Sequence, residues 1–277
     1  MERWPKADVR ELPGVPSYSS MTLLPRMNSY ALVIPVINEN GRLTKQLEAL
    51  KRVKRDVDII IADGGSTDNS TNPEQLAVYG VTAILTKIGP GKLSAQLRMA
   101  IDYCMETGYH GIITMDGNGK DGVEGIVSIL SALQGGFDFV QGSRFIQGGQ
   151  AINTPLERLL AIKLIHSPIT SIAARFKYTD STNGFRGHSK RLLTSTEINP
   201  LRDIFDTYEL LAYLPIRAAR TGYNISEVPV TREYPVGQPT PTKIHGVRAH
   251  SHMVKILLKA SFGRYNPRGK KPSTSVT

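Results

Sequence analysis

Thr114-Met115-Asp116-Gly117-Asn118-Gly119-Lys120-Asp121 is the stretch on which the reading of this chain turns. It follows Gly111-Ile112-Ile113, a short apolar run that reads as the end of a buried strand. Asp116 then stands where the strand stops. Gly117 and Gly119 flank Asn118, which lets backbone approach a ligand closely. In an open α/β sheet, the carboxyl ends of the strands border the crevice where ligands bind. A hard cation takes oxygen donors, and Asp116 with Asn118 offers two. Taken alone, such a Gly/Asn/Asp cluster is more often a solvated turn than a ligand site. The surrounding sequence decides.

Upstream, residues 30–37 read as a buried strand ending near Pro35, with a loop through Asn38 and Glu39 and a helix marked by Leu43, Leu47 and Leu50. A second apolar strand, residues 57–62, breaks at Asp63-Gly64-Gly65-Ser66. A third, residues 82–85, leads through Gly89-Pro90-Gly91-Lys92 into a helix carrying Leu93, Leu97, Ile101 and the single cysteine, Cys104, as a small apolar residue. Downstream, helix 123–133 and strand 137–142 complete a strand–helix alternation that predicts α/β architecture, a mostly parallel sheet with helices on both faces. Glu39, Asp63, Asp116 and Arg144 then fall along one edge of that sheet. Beyond Gly148-Gly149 come an apolar helical region broken near Pro168, a turn at residues 182–187, a helix at 208–220 containing Pro215, a strand at 223–230, and a Pro-rich loop at 237–242. The layout predicts an irregular arm at residues 1–26, a main domain at 27–245, and an amphipathic helix with a basic tail at 246–277.

With 277 residues the chain is long enough for a full core. Apolar residues make up 40% and charged residues 21%, so it reads as globular rather than disordered. A net charge of +10 suits anionic partners without choosing among them. The basic residues are dispersed with no interleaved aromatic array, which argues against nucleic acid. One cysteine excludes an intramolecular disulfide. No run approaches the length of a membrane span. The expected location is cytoplasmic, with contact to the inner face of a membrane confined to its surface. The segment 152–176 and the helix from residue 246 pair apolar faces with Lys and Arg, as interfacial helices do; a core role for both faces is the competing reading. The six histidines show no ligand spacing and read as solvated.

Several stretches, in order, resemble the inverting family 2 glycosyltransferases of the GT-A fold. Residues 33–39 look like their opening nucleotide-binding strand, and residues 61–68 like their second-strand signature. Met115-Asp116-Gly117-Asn118 falls where they carry Asp-X-Asp. Val140-Gln141-Gly142-Ser143-Arg144-Phe145, Asp180-Ser181-Thr182-Asn183-Gly184-Phe185-Arg186 and Glu227-Val228-Pro229-Val230 are similar to the subgroup that makes dolichyl- or polyprenyl-phosphate sugars. The resemblance implies a sugar transferred from a UDP- or GDP-sugar to a polyprenyl-type lipid phosphate. It implies donor binding by Pro35, Ile37, Glu39, Asp63, Lys92, Met115, Asp116, Gly117, Arg144, Arg158 and Lys243. It implies catalytic roles for Asp116, Lys120, Arg144 and Arg186, the arginines pairing with phosphate oxygens. A lipid phosphate is already ionised and needs no general base; a hydroxyl acceptor needs one, for which Asp180 and Glu209 are candidates and Asp206 a poorer one.

The chain departs from that pattern at two positions. Asn118 replaces the second acid, and Lys120 stands where the subgroup usually has a neutral residue. Three readings follow. Mg2+ or Mn2+ is held weakly by Asp116, Asn118 and the donor's phosphates; Lys120 takes over part of the ion's role; or the site is degenerate and the chain is a binding module for nucleotides or anionic surfaces. A glycan or small-molecule hydroxyl acceptor is the alternative among enzymes. The oligomeric state is not legible.

Overall fold

The computed structural model describes residues 8–39, 41–53, 56–237 and 246–267. In chain order the elements are β1 (Asp8–Leu12), β2 (Val15–Thr22), β3 (Tyr30–Val36), α1 (Arg42–Lys51), β4 (Asp58–Asp63), α2 (Pro73–Val78), β5 (Val81–Lys87), α3 (Leu93–Glu106), β6 (Gly111–Thr114), α4 (Gly125–Gln134), β7 (Phe139–Ser143), β8 (Gln150–Ile152), α5 (Leu156–Ala161), α6 (Ser167–Ala174), β9 (Arg186–Ser189), α7 (Lys190–Leu193), α8 (Glu209–Arg220), β10 (Ile225–Pro229), β11 (Thr231–Glu233) and α9 (Gly246–Ser261).

Nine strands form one sheet in the order β1-β2-β5-β4-β3-β6-β9-β7-β10, and β11 pairs with β8 in a second, two-stranded sheet. The central β5-β4-β3-β6 block is parallel, as the alternation predicts. Its strands are apolar along their length because both faces are covered; every residue of β4 is buried. Alternate residues serve opposite faces. Val33 and Ile60 pack with Leu97, Ala100 and Cys104 of α3, while Leu32, Ile34, Ile59 and Ile61 pack with Leu43 and Leu47 of α1 and Ile126 and Ile129 of α4.

Three expectations change. The expected irregular arm is largely a hairpin: residues 1–7 of it lie outside the described residues, but β1 and β2 pair, turning at Gly14 (φ +82°), and β2 lies antiparallel on β5. Pro13 flanks that turn and Pro16 lies near the start of β2, so neither interrupts the Tyr18–Thr22 ladder with β5. The turn at 182–187 runs into a strand, β9, inserted antiparallel between β6 and β7. The C-terminal helix is not an appendage either. Ile256, Leu257 and Ala260 are buried in the same core as Leu210, Tyr213 and Leu214 of α8.

Near Pro168 the chain does not simply break. Residues Ile162–His166 form a π-helical turn joining α5 to α6. Proline has no N–H to donate and its ring crowds the carbonyl four residues earlier, so a widened turn ahead of it relieves both. Pro215, by contrast, is carried inside α8. Among the described residues, no helix is long and apolar enough to cross a membrane.

Candidate active site

Asp116 lies just past β6. The Met115 amide donates to the Val33 carbonyl (3.1 Å), holding this loop against β3, and Met115 is fully buried. Gly117 is there for packing rather than for ligand approach: an added Cβ would lie 2.7 Å from Val36 Cγ1 and 3.1 Å from the Pro35 carbonyl oxygen. Asn118 ties the loop together. Its side-chain amide donates to Asp116 Oδ2 (3.3 Å), and its Oδ1 accepts from the Lys120 amide (3.3 Å).

The centre of the site is a residue that the sequence did not single out. Arg232, on β11, reaches across to the loop through an isolated bridge between Asp121 and Arg232. One terminal nitrogen donates to Asp116 Oδ2 (2.8 Å), the other to both Asp121 oxygens (2.6 and 2.7 Å). The Arg232 side chain is 7% exposed, Asp121 is sealed, and Asp116 keeps 28% of its side chain open. Tyr234, two residues on, is ringed by cations. Lys120 Nζ lies 5.2 Å, Arg158 Cζ 5.6 Å and Arg232 Cζ 6.0 Å from its ring centroid. Arg158 also donates to the Tyr234 hydroxyl oxygen (3.4 Å).

The charges shift one another accordingly. Burial alone would raise the Asp116 carboxyl, but Arg232 and then Lys120 outweigh it and hold it below the usual carboxylate range. Burial, with Asp116 nearby, raises Asp121 in spite of Arg232. Burial, reinforced by the Arg232 charge, brings the Lys120 ammonium down to about 8. Burial would raise the Tyr234 phenol; Arg232, Arg158 and Arg144 together pull it below its ordinary value.

The other expected residues fall into three groups. Glu39 and Asp63 stand at the ends of β3 and β4, with Pro35 and Ile37 beside them, and their loops are stitched together. The Asn38 amide donates to Ser66 Oγ (3.0 Å) and the Thr67 amide to Asn38 Oδ1 (2.7 Å). Asp63 Oδ1 accepts from the Gly65 amide, the Ser66 amide and the Ser66 hydroxyl, closing a turn, while Glu39 pairs with Arg42 at 3.0 Å. Strand β3 separates β4 from β6, so Asp63 and Asp116 do not end neighbouring strands.

Arg144 and Arg186 do not present themselves to a phosphate in this structure. Arg144 is 1% exposed and forms a two-pronged ion pair with Asp180 (2.6 and 2.8 Å), with Thr182 at 3.0 Å. Arg186 donates to the carbonyls of Asn183 (2.9 Å), Leu211 (2.7 Å) and Ser181 (2.8 Å), and burial brings its guanidinium down to about 10. Lys92 is exposed at the N-terminal end of α3. Lys243 and its Pro-rich loop lie outside the described residues.

The candidate bases are occupied as well: Asp180 by Arg144, and Glu209 by the amide and hydroxyl of Thr207. His188 is not solvated. It is 3% exposed, sits with Arg186 in a small cavity behind Asp116, and neither ring nitrogen meets a hydrogen-bond partner among the described residues.

No model of a known family matches this chain. It is 24% identical to a polyprenol monophosphomannose synthase of Mycolicibacterium smegmatis, over 72% of this chain and 76% of that one. It is 26% identical to an undecaprenyl-phosphate mannosyltransferase of Micrococcus luteus, over 72% and 81%. Its fold matches a glucosyl-3-phosphoglycerate synthase of Mycobacterium tuberculosis in complex with Mn2+, UDP and phosphoglyceric acid, with a TM-score of 0.62 at 15% identity, covering 90% of this chain and 85% of that one. The chain is a glycosyltransferase of the GT-A fold.

Structures of that mycobacterial synthase contain Mn2+ or Mg2+ together with UDP. The donor set of this glycosyltransferase does not fit such an ion. Asp116 Oδ2 already accepts from Arg232 and Asn118, Asp121 is clamped behind Arg232, and Asn118 carries no charge. No group of three or more His, Cys, Asp or Glu residues able to hold a metal exists among the described residues.

Proposed function

We propose that this glycosyltransferase moves a hexose from a nucleoside-diphosphate sugar to a polyprenyl-type lipid phosphate, with inversion at the anomeric carbon. The observation that carries this reading is the cluster of Lys120, Arg158 and Arg232 around Tyr234, set beside an exposed apolar strip. Arg158 lies on α5, and the helical run through α6 bares Leu156 (67% exposed), Leu164 (70%) and Ile172 (80%) together with Lys163 and Arg175. A phosphate joined to an isoprenoid tail matches both features at once. The named activities of the Mycolicibacterium and Micrococcus relatives support the same acceptor class.

In this reading the loops ending at Glu39 and Asp63 receive the nucleoside, the diphosphate lies toward Asp116, Lys120 and Arg232, and Arg158, on α5 beside the apolar strip, meets the acceptor phosphate. An oxygen of the acceptor phosphate attacks the anomeric carbon from the face opposite the leaving diphosphate. The new carbon–oxygen bond forms as the bond to the donor's phosphate breaks, which inverts the centre. The acceptor oxygen carries its negative charge beforehand, so no proton has to be removed. Charge accumulating on the departing diphosphate is stabilised by fixed positive groups in a partly buried site.

The test is a transfer assay in detergent with labelled GDP-mannose and UDP-glucose, offering a polyprenyl phosphate, a polyprenol lacking phosphate, or phosphoglyceric acid. Label passing only to the polyprenyl phosphate is the expected result. Transfer to either of the others and not to the lipid phosphate would overturn the acceptor assignment.

A further inference from the structure

Building on the donor reading above, we propose that Arg232 is the resident cation of this site and that the chain binds the diphosphate, with Lys120, without a divalent metal ion.

The geometry places a fixed positive charge against the acidic loop. Arg232 is held on two sides by carboxylates at 2.6 to 2.8 Å, and Asp121, which is fully buried, serves only as its anchor. A planar guanidinium bonded in this way cannot drift as a lysine can. The backbone secures it further: the Glu233 amide donates to the Lys120 carbonyl (2.8 Å) and the Gly122 amide to the Thr231 carbonyl (2.9 Å). Strand β11 and the acidic loop therefore move as one piece.

An ion arriving at Asp116 would have to displace Arg232 from Oδ2 or sit beside a like charge in a partly buried site. It would find Asn118 in place of a second acid, and Lys120 close by. The balance of charge also favours an anion without help. Set against Asp116 and Asp121, the three cations Lys120, Arg158 and Arg232 leave the cluster positive before any ion is added.

Inorganic pyrophosphate, UDP, GDP and Mn2+ alone serve as probes in calorimetric titrations of the full chain, with wild type, Arg232→Lys and Arg232→Gln. Wild type is expected to take up no Mn2+ by itself, and to bind pyrophosphate as tightly in EDTA as in Mn2+. Arg232→Gln should weaken pyrophosphate binding in EDTA by about tenfold or more, the loss of a charged partner. It should also gain Mn2+ uptake, because Asp116 and Asp121 are released to an ion, and Mn2+ should restore pyrophosphate binding. A purely structural role for Arg232 would not create that metal dependence. If Arg232→Gln does not fold, wild type and the charge-conserving Arg232→Lys, expected to keep most metal-free binding, carry the test. Wild-type pyrophosphate binding lost in EDTA and regained with Mn2+ overturns the proposal. So does wild-type Mn2+ uptake that Asp116→Asn abolishes. Metal-free pyrophosphate binding with no affinity for UDP, GDP or their sugars would instead overturn the donor reading and leave the resident cation standing.

Discussion

Breaking the Arg144–Asp180 pair should cost stability before it costs substrate. Both side chains are sealed, at 1% and 0% exposure, and two short bonds join them. Asp180 is itself seated by its neighbours: Glu227 accepts from the amides of Thr179 and Asp180 and from the Thr179 hydroxyl. Removing one member of a buried pair strands the other's charge, at about 3–5 kcal/mol, whereas removing both together is far cheaper. Against a total stability of roughly 5–15 kcal/mol for a domain, a single loss of that size is severe. Urea unfolding followed by circular dichroism should therefore show Arg144→Met and Asp180→Asn each strongly destabilised. The double variant should be less destabilised than the two losses added together, with a coupling of about 2 kcal/mol or more. Nucleotide affinity measured on the folded fraction should change little. An Arg144→Met protein as stable as wild type within about 1 kcal/mol, but with its UDP or GDP affinity down tenfold, would place Arg144 at the ligand and refute the assignment as a brace.

Asp63→Asn keeps the oxygen that closes the Asp63–Ser66 turn, so its melting temperature should hold while UDP or GDP affinity falls about tenfold in calorimetry; Asp63→Ala should lose both. Burial, aided by the Arg186 charge, pulls His188 down to about 3, against an unperturbed value near 6.5, so the unfolded chain binds the extra proton first. Stability should fall by about 3 kcal/mol as the pH drops from 7 to 4, and His188→Phe should remove most of that slope in urea unfolding at the two pH values. Leu164→Ser with Ile172→Ser should reduce cosedimentation with anionic liposomes and spare transfer to a short-chain, detergent-soluble acceptor phosphate; unchanged liposome binding would argue that the strip does not meet lipid.

What was legible followed from how strongly each segment's chemistry announces itself. Strands β3, β4 and β6 are continuous apolar runs, which only a doubly covered parallel sheet explains, and their ends placed Glu39, Asp63 and Asp116 correctly on one edge. Strand β9 escaped because Arg-Gly-His-Ser shows no apolar alternation. It is a strand because its neighbours enclose it, and Gly187 is required there, since a Cβ would come within 2.7 Å of Ile129. The resemblance implies a phosphate role for Arg144, whereas the structure pairs it with Asp180, 36 residues away, and spacing cannot reveal such pairs. Arg232 is hidden for the same reason. It lies 116 residues from Asp116, and its one local signal is a charged residue two positions after buried Val230 in a strand-like run.

The hairpin that opens the described chain has a consequence for handling the protein. β2 occupies the flank of β5, and Tyr18 is anchored by its hydroxyl to Asp102 (2.7 Å) on α3. A chain shortened to begin near β3 would retain the central strands and the acidic loop. It would also lay bare the backbone of Ala83–Lys87, the five residues of β5 that β2 pairs, whose Ala83-Ile84-Leu85 run is buried and apolar. An unpaired edge of that kind recruits another copy of itself. The first symptom of such trimming would be sticky, self-associating protein during purification, and a loss of measured turnover would reflect material removed from solution rather than damage at Asp116.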